Sequence, residues 1–324
     1  MTKVLANQVS PGFEPEIEVS GLTKTFAGGV EAVKGINFRV EVGEAFGLLG
    51  PNGAGKSTII GMLATTIAPT SGTARLAGFD IVREPIKARS VSAVVFQDAV
   101  VDRALTGRRN LDTHARLWGV RRADLKDRTD EVVEVLGLGE FVDRPAGSLS
   151  GGQRRRLEIA RALISAPGVL FLDEPTIGLD PRIRHELLDL IGELKSRTEM
   201  TVLVTTHYLD EAQQLCDRVA IMHEGRIVAM GAPAALTAAL GFELIELHVN
   251  GDPSSALATL RSRGLASDDA FIVGTTIIVP VHEGSATAAI ANVSALGLAV
   301  SEIGARPPTL EDVFLQLTGD RLND

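Results

Sequence analysis

A glycine-rich stretch constrains this chain more than any other part of its sequence. It fits the phosphate-loop pattern G-x-x-x-x-G-K-[ST] at every specified position, with the residues Gly50, Pro51, Asn52, Gly53, Ala54, Gly55, Lys56, Ser57 and Thr58. Residues 44–49 before it, of which all but Glu44 are uncharged, predict a short buried strand, and residues 59–63 after it predict a helix. A loop between a strand and a helix is the context that this pattern requires.

The chemistry expected of this loop is the capture of phosphate groups. Gly53 and Gly55 let the backbone curl until successive N–H groups point inward, and the following helix adds the positive end of its dipole. Lys56 is expected to reach the β and γ phosphates, and the Ser57 hydroxyl to ligate Mg²⁺. The alternative interpretation is a glycine-rich turn that binds nothing.

Length and composition set the class of protein. A chain of 324 residues predicts two domains, and 45% hydrophobic with 23% charged residues is typical of globular proteins. The net charge of −9 argues against broad nucleic-acid binding, which needs a basic face. The single cysteine, Cys216, excludes an internal disulfide and favours a reducing compartment.

No targeting or membrane-spanning segment is predicted. The first residues lack the basic and apolar regions of a signal peptide. No run approaches the roughly 18 apolar residues that a membrane span needs. If the protein serves a membrane, we therefore expect it to act from outside the bilayer.

The N-terminal part predicts a tail followed by strands. Residues 1–15 show little periodicity and contain prolines and a glycine, so we predict a flexible tail. Residues 16–19 alternate like an edge strand, and residues 33–40 predict a second strand. Phe26 lies between them, where it either stacks on a nucleotide base or fills the core of a small sheet.

Two acidic residues follow a fully apolar strand. Residues 168–172 predict a parallel strand buried on both faces, and Asp173 and Glu174 come directly after its apolar run. Because ligands bind at the carboxyl ends of parallel strands, these carboxylates suit metal binding and water activation. His207 ends another predicted strand, residues 201–207, at the same edge, although a lone histidine there is usually structural.

Residues 106–138 have helical periodicity, and a second helix follows at Ser150. Ser150 is a natural N-cap, and Leu157, Ala160 and Leu163 give the helix an apolar stripe. A basic run lies mostly off that stripe and predicts a solvated face, with the residues Arg154, Arg155, Arg156 and Arg161.

Taken in order, these motifs resemble those of the ATP-binding subunit of an ABC transporter, across residues 16 to about 235. The most specific is the LSGGQ segment (residues 149–153), which stands shortly before the strand that ends in Asp173 and Glu174. The resemblance implies an α/β P-loop NTPase fold of the ABC type at residues 16–238. A mixed-sheet core and a helical subdomain at about 100–165 belong to it.

The resemblance assigns catalytic roles within one copy. Lys56 holds the phosphates, and Asp173 holds Mg²⁺ together with Ser57. Gln97 touches Mg²⁺ and the attacking water, and it reports the nucleotide state to a membrane partner. Glu174 acts as the general base. His207 contacts the γ-phosphate.

The resemblance also implies that each site is shared between two copies. Phe26 stacks on adenine. The LSGGQ segment closes over the γ-phosphate held by the opposite copy, and Asp180 lies at the interface between the copies. The residues of the segment expected to contribute are Ser150, Gly151, Gly152 and Gln153. Two copies then enclose two ATP molecules head to tail.

The remaining residues, 239–324, predict a small α+β domain. Its order of elements is β-α-β-β-α-β, which resembles a ferredoxin-like module. Residues 306–319 resemble the ending of drug-efflux ATPases of the daunorubicin-resistance type. One departure is Arg109, where that group often has an acid, so a potential capping box with Thr106 is lost. The domain either regulates activity or supports dimerisation.

The predicted function is ATP hydrolysis that powers efflux of a drug-like or lipid-like compound through a separately encoded transmembrane permease. The predicted cofactors are ATP and Mg²⁺, the other partner is a second copy, and no nucleic acid is expected. The predicted location is the cytoplasmic face of the membrane. The alternatives are an ATPase acting on ribosomes or DNA and the ATPase of an importer. A small-molecule kinase leaves the LSGGQ segment and His207 unexplained.

Overall fold

A computed structural model of the chain describes residues 16–98, 100–282 and 284–319. The chain forms two compact units, of which the first ends at Ala229 and the second begins at Met230. The sequence-based boundary near residue 239 falls later in the chain. The predicted N-terminal tail lies outside the described residues.

The first unit contains a four-stranded antiparallel sheet in the order β2-β1-β4-β5. Its strands are β1 (Ile17–Thr25), β2 (Glu31–Val40), β4 (Ser71–Leu76) and β5 (Phe79–Asp80). The prediction of an edge strand at residues 16–19 was wrong, because β1 pairs with both β2 and β4. Alternation marks a strand with one buried face, and it does not tell whether both edges are paired.

The main sheet has six strands in the order β10-β9-β3-β8-β7-β6. They are β3 (Ala45–Leu49), β6 (Ser92–Val95), β7 (Val169–Asp173), β8 (Thr201–Thr206), β9 (Arg218–His223) and β10 (Arg226–Gly231). The pairs β3–β8, β3–β9, β7–β8 and β6–β7 are parallel. Every residue of β3, β7 and β8 is buried, as expected for parallel strands covered on both faces. Their carboxyl ends therefore meet at one edge, which positions the site.

Seven α-helices accompany these sheets in the described part of the first unit. They are α1 (Lys56–Leu63), α2 (Pro85–Ser90), α3 (Gly107–Leu117), α4 (Leu125–Val135), α5 (Gly151–Leu163), α6 (Pro181–Arg197) and α7 (Leu209–Leu215). The core that joins the two sheets includes Ile17, Phe38, Phe46, Ile59 and Phe171. The rings of Phe38 and Phe46 stack with their centroids 5.3 Å apart.

The second unit has its own four-stranded antiparallel sheet in the order β12-β13-β11-β14. Its elements are α8 (Pro233–Ala238), β11 (Glu243–Val249), α9 (Pro253–Ser262), β12 (Phe271–Val273), β13 (Thr276–Val281), α10 (Ala286–Ser294), β14 (Val300–Arg306) and α11 (Leu310–Thr318). A separate core contains Ile245, Leu247, Leu260, Ile277 and Val293. The predicted fold class, an α/β core with a small α+β domain, is confirmed, whereas the ferredoxin-like assignment stays a prediction.

Candidate active site

The phosphate loop joins β3 to α1 and is shaped by its glycines. Gly53 and Gly55 have φ angles of +82° and +99°, in the left-handed region that only glycine adopts without cost. A Cβ atom at Gly55 would lie 2.3 Å from the Ala32 carbonyl oxygen, and one at Gly50 would lie 2.3 Å from the Met222 carbonyl oxygen. The close packing of the loop against neighbouring backbone therefore excludes any side chain at these two positions.

Lys56 is the first residue of α1, and its side chain is buried beneath the loop. Its ammonium donates hydrogen bonds to the carbonyl oxygens of Gly50 at 2.7 Å and Pro51 at 3.0 Å. The same group lies 3.5 Å from a carboxylate oxygen of Glu174. Burial lowers the pKa of Lys56, and the charge of Glu174 opposes that shift. The amine of Lys56 thus lies where the phosphate loop meets the acidic edge (Asp173 and Glu174).

Asp173 ends β7 and faces α1 across the edge of the sheet. Its Oδ1 atom accepts hydrogen bonds from the Ser57 hydroxyl at 2.9 Å and from the Thr205 hydroxyl at 2.6 Å. The structure therefore brings together Ser57 and Asp173, two of the three residues predicted to contact Mg²⁺. Carboxylate and hydroxyl oxygens are hard ligands of the kind that Mg²⁺ prefers.

Glu174 has a φ of +44°, which is a strained backbone conformation for a residue other than glycine. Its N–H group donates to the Thr205 hydroxyl at 3.0 Å and to the Thr205 carbonyl at 3.2 Å. Its carboxylate lies 3.4 Å from Nδ1 of His207 as well as 3.5 Å from the Lys56 ammonium. The predicted general base therefore sits between the two predicted phosphate ligands.

His207 is supported by a series of side chains that the sequence reasoning did not include. Its ring centroid lies 4.1 Å from that of Tyr208, and the guanidinium carbon of Arg184 lies 3.7 Å from the centre of the Tyr208 ring. Arg184 lies 3.7 Å from the buried Glu211, which also accepts hydrogen bonds from Thr176 and Thr206. Burial raises the pKa of Glu211, while those two hydroxyls act in the opposite direction.

The LSGGQ segment forms the start of α5. Ser150 accepts a hydrogen bond from the Gln153 backbone at 3.3 Å, and the Gln153 side chain accepts one from the Ser150 N–H at 3.1 Å. Ser150 and Gly151 are exposed. No hydrogen bond or ion pair joins this segment to residues 50–58 within the ranges that the structure describes.

The other predicted residues lie at the surface. Phe26 is 40% exposed, and the Lys24 ammonium lies 5.0 Å from the centre of its ring. Gln97 follows β6 and is exposed beside the start of α5. Asp180 is the exposed N-cap of α6 and accepts a hydrogen bond from the Ile183 N–H at 3.1 Å. None of these three hydrogen-bonds the acidic edge among the described residues.

Arg155 contradicts the prediction of a solvated arginine face. Its side chain is buried, and its guanidinium donates to backbone carbonyls next to Glu174 and Gln97. The sequence holds one usable signal, because Glu158 lies three residues further along the same helix and pairs with Arg155 at 2.9 Å.

Comparison with known proteins identifies the family. The family model for ABC transporters matches residues 33–177. The chain is also 41% identical over 314 residues to the daunorubicin/doxorubicin resistance ATP-binding protein DrrA of Streptomyces peucetius, covering 95% of this chain and 94% of that protein. The chain belongs to the ABC transporter family. The predicted membership is thereby confirmed, and the chain is an ABC-type ATPase that binds nucleotide and hydrolyses ATP.

Other ABC transporter proteins resemble it over similar lengths. The linearmycin resistance ATP-binding protein LnrL of Bacillus subtilis is 36% identical over 90% of this chain and 95% of that protein. The Nod factor export ATP-binding protein I of Paraburkholderia xenovorans is 39% identical over 96% of this chain and 99% of that protein.

Solved structures agree with the fold over about two thirds of this chain. The cbiO1 protein of Clostridium perfringens, part of the ABC transporter complex cbiONQ, has a TM-score of 0.65 and 31% identity over 69% of this chain and 91% of its own. The ATP-binding cassette MJ0796, a dimer bound to ADP and Pi, has a TM-score of 0.61 and 26% identity over 67% of this chain and 98% of its own.

Proposed function

We propose that this ABC ATPase powers the efflux of a drug-like or lipid-like hydrophobic compound through a separate membrane subunit. The observation that carries the ATP-hydrolysing part of the proposal is the arrangement of Lys56 and His207 around the Glu174 carboxylate at the carboxyl edge of the main sheet. The relatives named for daunorubicin, doxorubicin and linearmycin resistance and for Nod factor export support the direction of transport.

In this proposal the phosphate loop and Lys56 hold the phosphates of ATP, and Phe26 stacks on its adenine. Glu174 accepts a proton from the attacking water, and His207 contacts the γ-phosphate. The 3.4 Å and 3.5 Å separations place the Glu174 carboxylate within reach of both groups. Phosphoryl transfer depends mainly on such positioning and on the stabilisation of charge.

Mg²⁺ is proposed as the metal. No group of three His, Cys, Asp or Glu side chains that could hold a metal occurs in the described residues. Mg²⁺ does not need such a group, because it keeps several waters and binds one or two carboxylates together with substrate phosphates. Asp173 and Ser57 would hold it, with Gln97 approaching from its loop, and the ion would neutralise charge on the phosphates.

A second copy is proposed to complete each site. The start of α5 presents the exposed Ser150 and Gly151 and the partly exposed Gly152, and a helix N-terminus of this kind binds phosphate. It makes no hydrogen bond to the phosphate loop of its own chain in the described ranges, which supports a role at the nucleotide of another copy. Asp180 would lie at that interface, and the dimeric cassette MJ0796 supports the arrangement.

A membrane subunit is proposed to dock beside α3, at the cytoplasmic face of the membrane. Here a cavity of about 240 Å³ is lined by side chains that include Phe96, Val100, His114 and Trp118. Leu117, which directly precedes Trp118 in the sequence, is 80% exposed. Because Gln97 follows Phe96 directly, a helix seated here would sense the loop that carries Gln97. No helix in the described residues combines the length and apolar character needed to cross a bilayer.

The two domains would have different roles. Residues 16–238 form the proposed nucleotide-binding domain, with its helical subdomain at about 100–165. Residues 239–324 would regulate the enzyme or support dimerisation, since their separate sheet and core allow them to fold as a unit.

The Glu174→Gln variant tests the proposal. Without its general base the variant is expected to lose at least ~100-fold in ATP turnover, the scale of general-base catalysis, while ATP still binds. ATP should then hold the variant as a dimer, measurable by light scattering coupled to gel filtration. Glu186→Gln, a surface carboxylate paired with Arg156 and Arg182, is the control and should turn over normally. Wild-type turnover in Glu174→Gln, or no dimer with ATP, contradicts the proposed mechanism.

A further inference from the structure

We propose that Arg155 is a positioning residue, which holds the backbone around Glu174 and Gln97 in a fixed position relative to the helix that carries the LSGGQ segment. The inference rests on the proposed function, because it concerns a reaction shared between two copies. Arg155 itself does not touch nucleotide. It acts through the carbonyl groups on either side of the catalytic carboxylate.

Four backbone carbonyls from two separate segments converge on this one guanidinium. Nε donates to the Pro175 oxygen at 2.7 Å, and Nη1 donates to the Phe96 oxygen at 2.6 Å. Nη2 donates to the oxygens of Asp173 at 3.1 Å and Glu174 at 3.3 Å. The residue is 6% exposed, so these bonds form away from bulk water, where leaving a carbonyl unpaired is costly.

Only arginine has the geometry for this task. Its planar group carries five N–H donors in a fixed fork, whereas lysine offers three donors from one point. The fifth contact neutralises the buried charge, because Nη1 also lies 2.9 Å from the carboxylate of Glu158, itself buried. Arg155 and Glu158 lie one helical turn apart on α5, so both are fixed to the same rigid element.

The backbone that Arg155 holds is strained. Glu174 has a φ of +44°, and such a conformation persists only where the surroundings fix it. Thr205 holds the N–H side of Glu174, and Arg155 holds its carbonyl side. Removing Arg155 therefore frees Glu174 to relax toward ordinary dihedral angles, which moves its carboxylate away from Lys56 and His207.

The same guanidinium joins three functional segments. It lies two residues after Gln153, so it belongs to the first turns of the helix that carries the LSGGQ segment. Phe96 directly precedes Gln97, and Pro175 begins the connection toward Asp180. If α5 shifts when it contacts the nucleotide held by the other copy, the shift is thus transmitted to the backbone around Glu174 in its own chain.

The test replaces Arg155 with Met and uses Arg156→Met as the matched control. Arg156 is adjacent on the same helix, and its side chain makes a partly exposed ion pair with Glu186 at 3.2 Å. We expect Arg155→Met to lower kcat for ATP by at least tenfold, while its Kd for ATP stays within twofold of wild type. Millimolar guanidinium should restore part of the turnover in Arg155→Ala, as it can occupy the vacated position.

Two further variants distinguish a loss of the positioning role of Arg155 from a loss of folding and from a failure of the proposed function. Arg155→Met combined with Glu158→Met removes both buried charges, so a loss of kcat in that folded double variant cannot come from an unpaired Glu158. Adding Arg155→Met to Glu174→Gln should leave the ATP-induced dimer intact. If Glu174→Gln alone fails to dimerise, the proposed function fails instead. An equal kcat in Arg155→Met and Arg156→Met, or a loss confined to ATP affinity, overturns the role of Arg155.

Discussion

Thr205 controls the geometry of both acidic residues through a single hydroxyl group. It donates to Asp173 and accepts from the Glu174 N–H, and its side chain is fully buried. A valine has nearly the same shape and lacks both hydrogen-bonding functions. The residue therefore allows a test of positioning that leaves packing largely unchanged.

The Thr205→Val variant is expected to lose about 1–3 kcal/mol of unfolding free energy, because it leaves buried polar groups without a partner. Turnover should fall by roughly tenfold, which corresponds to about 1.4 kcal/mol in the barrier. Urea unfolding and steady-state ATPase assays measure the two effects.

Thr201→Val on the same strand provides the control for Thr205→Val. Thr201 accepts a hydrogen bond from the Gly43 N–H at 3.0 Å, at the end of β8 away from the site. The Thr201→Val variant should lose a comparable free energy of unfolding, while its kcat stays that of wild type. An equal loss of kcat in both variants would contradict the positioning role of Thr205.

At the scale of single elements, α3 carries a histidine in a position that disfavours its charge. Burial, and secondly the charge of Arg161, lowers the pKa of His114 to about 4 from 6.5. Its ring lies beside Trp118, with the two ring centroids 6.1 Å apart. The unfolded chain therefore binds a proton at His114 at a higher pH than the folded protein does.

Acidification should consequently weaken the fold through His114. The contribution of neutral His114 to the free energy of unfolding is complete above about pH 6.5 and declines as the pH falls toward 4. The loss amounts to about 1–2 kcal/mol after allowance for the partial exposure of the side chain. Urea unfolding of wild type and His114→Gln at several pH values measures it. The variant should have the shallower pH dependence between pH 6.5 and 5, and identical slopes would refute this assignment.

Helix α11 is fixed to the sheet of the second unit by an ion-pair cluster. Arg306 donates to both carboxylate oxygens of Asp312 at 2.7 Å and to Glu246 at 2.8 Å. Asp312 also accepts from the N–H of Thr309, the N-cap of the helix, at 2.8 Å. Burial by itself raises the pKa of Asp312, but the hydrogen bonds from Arg306 and Thr309 outweigh it, so the pKa lies below its usual value.

Asp312→Ala should therefore destabilise the second unit by about 2–3 kcal/mol, through loss of the buried pair and of the helix cap. Glu302→Ala, an exposed acid of the same unit, should change stability by less than about 0.5 kcal/mol. Thermal unfolding followed by circular dichroism measures both. Equal stability of the two variants would contradict the role of the cluster.

At the scale of the whole molecule, the first unit has two sheets and the second has one, and each unit has its own core. ATP at about 100 times its Kd should stabilise the unit that binds it by about 2.7 kcal/mol. Hydrogen exchange should accordingly slow in β3 and α1, and it should change little in β11 and β13. Lys56→Ala should remove the effect. Equal slowing in both units would show that ATP binding is coupled to the second unit.

Several features followed from the sequence because they depend on neighbouring residues. The phosphate loop, the N-caps Ser150 and Thr309, and strands such as β11 and β13 follow from turn chemistry, capping and alternation. The order of the motifs along the chain was enough to predict the family, because no unrelated chemistry requires all of these motifs in that order. The division at Met230 and the paired position of β1 did not follow, because both depend on contacts between distant segments.

The sequence by itself predicted which residues would hold phosphate and metal and activate water, because each of these chemistries requires particular side chains at particular spacings. Only the tertiary structure decided how those residues are supported. Arg155 reaches carbonyls 18 to 59 positions away, and Arg184 reaches the ring of Tyr208 from another helix. The spacing of residues along the chain does not predict such contacts, because they form only when the sheet folds.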